Sequence, residues 1–112
     1  MIANNFSSYI RPAAVAGMFY PGHKKELRNS VRNYLQSAGE EGSGLKIALD
    51  EISAIRMLIV PHAGYIYSGK TAAFAYQLLQ KFKNKIRRVL MLGPAHRVWL
   101  TGAAFPEADS FE

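Results

Sequence analysis

The chain has 112 residues, 49% of them hydrophobic, and 14 Lys and Arg against 8 Asp and Glu give a net charge of +6. That suits one small domain with a core. No run of about 20 apolar residues is present to span a membrane, and residues 1–10 lack the basic-then-apolar order of a signal peptide. Without cysteine there are no disulfides and no thiolate ligands, and a cytoplasmic location is the expectation.

In chain order, residues 1–10 read as a loose terminus and 11–20 as a compact apolar stretch ending in Gly17-Met18-Phe19-Tyr20. Pro21-Gly22 signals a turn. Leu27, Val31, Tyr34, Leu35 and Ala38 recur at helical spacing, which predicts an amphipathic helix over 24–38. Residues 39–44, rich in Gly and Glu, predict an exposed mobile loop, and 45–49 a short extended piece. Met57-Leu58-Ile59-Val60 closes a strand predicted over 55–60. A second helix is predicted over 69–83, with Ser68 as its N-cap. Val89-Leu90-Met91-Leu92 is a second strand and 98–105 a third, edge-like one. Residues 106–112 trail off in polar side chains.

Strands that are apolar at nearly every position suit a parallel sheet covered on both faces. One intervening helix makes a right-handed βαβ unit. The predicted fold is therefore α/β, three-layered, with a mostly parallel sheet, and residues 1–112 form one partial domain. Two helices cannot cover both faces of such a sheet. The expectation is an incomplete fold that associates with itself or pairs with a missing C-terminal part.

The positive charge falls mainly in two clusters, Lys24, Lys25, Arg28 and Arg32, and Lys81, Lys83, Lys85, Arg87 and Arg88. Neither is interleaved with aromatic rings that could stack bases, so solvated helix faces are expected and nucleic acid is not.

Three chemistries compete for the centre of the chain. His62 and His96 each follow a predicted strand, at the sheet edge where α/β folds bind ligands. Neutral imidazole is a common metal ligand, and two of them with a further donor suit non-haem iron. His23 lacks that setting and reads as a surface residue at a helix start. A second reading is a metal-free module that binds a peptide or small molecule through aromatic side chains, with Phe19, Tyr20, Tyr65, Tyr67 and Trp99 as candidates. The third is nucleotide binding, because residues 64–71 match the pattern G-x-x-x-x-G-K-[ST]. Bulky Tyr65, Ile66 and Tyr67 inside that loop count against it, as does the absence of an Asp after Leu92 to hold Mg²⁺.

Three ordered blocks, Arg11-Pro12-Ala13-Ala14-Val15-Ala16-Gly17-Met18-Phe19-Tyr20-Pro21, Pro61-His62-Ala63-Gly64-Tyr65-Ile66-Tyr67-Ser68-Gly69 and Leu92-Gly93-Pro94-Ala95-His96, resemble the Memo family, called AmmeMemoRadiSam system protein B in bacteria and archaea. The resemblance covers nearly the whole chain. It implies an α/β fold related to the class III extradiol dioxygenases. It implies that His62 and His96 correspond to two histidines of the family's metal pocket, with Tyr65, Tyr67 and Phe19 lining it. An iron or copper ion with redox or dioxygenase-like activity is implied, and the family's eukaryotic member is linked to phosphotyrosine receptors. Family members are more than twice as long as this chain. Their further pocket residues, an Asp-His pair and a late cysteine, fall after the point matching Glu112. The resemblance thus implies an N-terminal part that is inactive by itself.

Overall fold

The computed structural model describes residues 8–41 and 52–112. The extended piece expected over 45–49 lies outside them. The chain divides into two compact units, Val15–Arg88 and Met1–Ala14 with Val89–Glu112.

In the first unit, helix α1 runs Lys24–Glu41 and helix α2 runs Tyr65–Leu79, and the two pack against each other. The stripe that predicted α1 supplies the packing, with Ala38 only 2% exposed. The helix starts where expected, with the Leu27 N–H bonded to the His23 carbonyl at 2.9 Å. It runs on past Gly39, where a loop was expected. The extra turn is held by the Gln36 Nε2 bond to Glu40 Oε1 at 3.0 Å and by a 2.9 Å ion pair between Glu41 and Lys70 of α2. The ion pair with α2 and the bond within α1 together offset the poor helix propensity of glycine, worth about 1 kcal/mol.

Helix α2 begins four residues before its predicted start. Gly64 is the N-cap, and Ser68 is a buried interior residue. Its hydroxyl turns back to the carbonyls of Ala63 at 2.8 Å and Gly64 at 3.3 Å. Serine can make this back-bond inside a helix as readily as it caps one, so composition does not separate the two uses. After Leu79 the chain tightens into a 3₁₀ turn, Gln80–Phe82. Phe82 is buried, and its carbonyl receives the N–H groups of Lys85 and Ile86 at 2.8 and 3.2 Å.

The second unit joins residues from the two ends of the sequence. Strand β1, Ile10–Arg11, pairs in parallel with β2, Ser110–Phe111, with Ile10 opposite Ser110. The pairing continues beyond the strands. Asp109 N–H donates to the Tyr9 carbonyl and Tyr9 N–H to the Asp109 carboxylate, at 2.9 and 2.8 Å. Arg11 lies 6.0 Å over the Phe111 ring. Within residues 106–112, expected to trail off, Ser110–Phe111 therefore form a strand.

This two-stranded sheet is the one sheet formed among the described residues. The strands expected over 55–60, 89–92 and 98–105 form none. Along 57–60 burial alternates. Leu58 and Val60 are half-buried, whereas Met57 and Ile59 are 78% and 91% exposed. Val89 through Leu92 are exposed throughout. An apolar run expresses a demand for cover on both faces, but a ladder also needs a neighbouring backbone in register. The fold observed is a mixed α/β arrangement of two helices and a small parallel sheet. No helix among the described residues is long and apolar enough to cross a membrane.

Candidate metal and ligand site

Residues 15–20 form a closed turn. The N–H groups of Met18 and Phe19 reach the Val15 carbonyl at 3.1 and 3.0 Å, and Gly17 N–H reaches the Tyr20 carbonyl at 2.8 Å. This leaves the Phe19 carbonyl to accept from the Tyr65 N–H at 2.7 Å. The first helical N–H of α2 would otherwise be an orphan donor. Here it is satisfied by the apolar block near the start of the chain. The Tyr67 and Ser68 N–H groups both bond to Gly64, at 2.9 and 3.1 Å.

His62 stands on the segment that enters this braced corner and is exposed. Tyr65 is directed into the packing, its ring 5.7 Å from Tyr20 and edge-on to Tyr34 at 6.4 Å. Burial, then the neighbouring Tyr76 and Tyr20, raise its hydroxyl above the usual value. Tyr67, on the same helical turn, is 81% exposed, and Phe19 is about half exposed. His96 belongs to the second unit and is also exposed. Trp99, the other aromatic candidate there, is 90% exposed.

The donor chemistry of His62 and His96 fits a borderline ion such as iron or copper. Among the described residues no group of three or more His, Asp or Glu gathers around a common point. Either imidazole alone would leave most of a coordination shell to other donors.

The nucleotide pattern at 64–71 has a different architecture. A phosphate loop wraps its ligand with free backbone N–H groups and opens its helix near the lysine. Here the helix opens at Tyr65, and Phe19 and Gly64 already occupy the N–H groups of Tyr65, Tyr67 and Ser68. Lys70 sits in the second turn and pairs with Glu41.

Two features escaped the sequence reading. One is Phe19 as a main-chain acceptor, for which no side-chain signal exists. The other is Tyr34, read only as a core residue, whose ring forms the third member of the tyrosine cluster.

A family model described as Memo-like protein matches residues 11–112. The chain belongs to this Memo family. It is 34% identical over 111 residues to the protein memo-1 homolog of Caenorhabditis elegans, covering 99% of this chain and 28% of that one. It is 40% identical over 87 residues to a MEMO1 family protein of Nitrosopumilus maritimus, covering 78% of this chain and 30% of that one. It is 33% identical over 105 residues to the MEMO1 family protein MHO1 of Saccharomyces cerevisiae, covering 90% of this chain and 28% of that one. The chain thus spans less than a third of the length of these Memo relatives. No solved structure matches it.

Proposed function

We propose that this chain contributes part of the metal pocket of a Memo-type protein, with His62 and His96 as ligands to an iron or copper ion. The observation that carries the reading is the brace between Phe19 and Tyr65. It fixes the corner on which His62 is displayed, and a metal ligand needs a rigid support. The chain's membership in the Memo family supports the same reading. When bound, the ion would supply Lewis-acid and O₂ chemistry. The chain's own contribution is two imidazole nitrogen donors, with exposed Tyr67 and half-exposed Phe19 on the elements that form the His62 corner. The activity of the whole Memo-length protein would be redox or dioxygenase-like, and its fold related to the extradiol dioxygenases. This chain would require further donors for turnover. Those donors would come from a polypeptide supplying the rest of the relatives' length, which would also cover Met57 and Ile59.

The test is a titration with Cu²⁺, and with Fe²⁺ under anaerobic conditions, followed by calorimetry and electron paramagnetic resonance. Wild type, His62→Ala and His96→Ala are compared, and far-UV circular dichroism confirms the fold of each. Each single substitution should weaken binding by about tenfold or more and alter the nitrogen hyperfine pattern of bound Cu²⁺. Unchanged affinity and spectra in both variants would remove the two histidines from the metal site.

A further inference from the structure

The helical pair carries a surface distinct from the His62 corner. A groove of about 430 Å³ is lined by Arg28, Val31, Arg32, Leu35, Gln77 and Gln80. A second, of about 290 Å³, is lined by Tyr76, Leu79, Gln80, Lys83 and Ile86. Gln80 borders both, so the two meet at the end of α2.

We propose that this surface docks an acidic amphipathic helix of a partner protein. The charge is one-sided. Arg28, Arg32 and Lys83 border the grooves, and among the described residues no Asp or Glu does. None of the three forms an ion pair among the described residues. Lys24, also exposed, stands one helical turn before Arg28 and extends the same row. The same linings include the aliphatic side chains of Val31, Leu35, Leu79 and Ile86. A lining that combines aliphatic side chains with cations matches a helix that presents apolar anchors about one turn apart and carboxylates beside them. Each guanidinium can take a carboxylate through two parallel hydrogen bonds. Single-stranded nucleic acid would need successive stacking platforms. Among the described residues the groove linings offer one ring, that of Tyr76.

The test uses the 112-residue chain and a fluorescein-labelled designed peptide of about five helical turns, with leucines at helical spacing and glutamates between them. Fluorescence anisotropy should give saturable binding that weakens as salt rises. Arg28→Glu with Arg32→Glu should weaken it by about tenfold or more, equivalent to about 1.4 kcal/mol. The milder Arg28→Gln with Arg32→Gln should fall between that variant and wild type. Both pairs are exposed positions, and an unchanged melting temperature will confirm that the helices persist. A peptide of the same composition with its leucine spacing scrambled, and one with lysine in place of glutamate, should bind far more weakly. Undiminished binding by the glutamate variant would overturn the proposal. So would equal binding of the scrambled peptide, or tighter binding of a thymidine oligonucleotide.

Discussion

The Tyr65 N–H donates to the Phe19 carbonyl at 2.7 Å, which ties the start of α2 to a turn from an early part of the chain. The same residue presents its ring to Tyr20 and Tyr34. Tyr65 therefore anchors the His62 corner through both its backbone and its side chain.

The tyrosine cluster gives alkaline pH a specific effect. Burial first, and then Tyr76 and Tyr20, raise the Tyr65 hydroxyl above 10.0 in the folded chain. The folded state thus holds this proton more tightly than the unfolded state. Its contribution to stability is complete below the unfolded value and is lost as pH rises through the folded one. Melting temperatures followed from about pH 8 to pH 11 should fall less steeply above pH 10 for Tyr65→Phe than for wild type. Parallel curves would show that the Tyr65 hydroxyl has no such role.

Two helical glycines should respond to alanine with opposite sign. A Cβ at Gly39 would come 2.9 Å from Gln77 Nε2, the free end of a flexible side chain. The amide can swing away, and better helix propensity leaves a gain of up to about 1 kcal/mol. At Gly69 a Cβ would come 2.8 Å from Cε2 of Tyr34, whose ring is held edge-on to Tyr65. Overpacking costs about 1–3 kcal/mol, more than the propensity gain. In urea denaturation Gly39→Ala should raise the midpoint and Gly69→Ala lower it. Equal shifts would mean that the Tyr34 ring moves freely.

Nucleotide should leave the chain unchanged. A ligand that binds only the native state raises its melting temperature. With the α2 N–H groups engaged by Phe19 and Gly64, ATP with Mg²⁺ should produce no shift in wild type or Lys70→Ala. The substitution itself should cost at most about 1 kcal/mol, as for an exposed ion pair. A saturable shift that depends on Lys70 would restore the phosphate-loop reading.

Adjacent residues on the 57–60 segment should behave differently. Leu58 is half-buried, and Leu58→Ala should cost about 1–2 kcal/mol, below the range for fully buried leucines. Ile59 is 91% exposed, and Ile59→Ala should stay within about 0.5 kcal/mol. If bare apolar surface drives self-association, Ile59→Lys should shift the chain toward monomer in sedimentation velocity. Similar costs at both positions would indicate that Ile59 is already covered.

The residue spacing of Leu27, Val31, Tyr34, Leu35 and Ala38 was enough to locate α1, because an amphipathic helix records its buried face at a period of 3.6. The three sequence blocks were likewise enough to identify the Memo family, since their order and spacing are properties of the chain. Where α2 begins was not legible. Ser68 is compatible with a cap or an interior back-bond, and the choice depends on Phe19 arriving to satisfy Tyr65. The end of α1 was also in part a tertiary outcome, with the Glu41–Lys70 ion pair acting against the local preference of Gly39. The strands were the largest departure. Apolar runs at 55–60 and 89–92 state that both faces favour burial. A ladder forms only where another backbone lies alongside, and here that backbone joins Ile10–Arg11 to Ser110–Phe111. The sequence by itself determined which residues seek cover, because hydrophobicity belongs to each side chain. Only the tertiary structure decided which of them obtain it, because burial and hydrogen bonding require a second group in place.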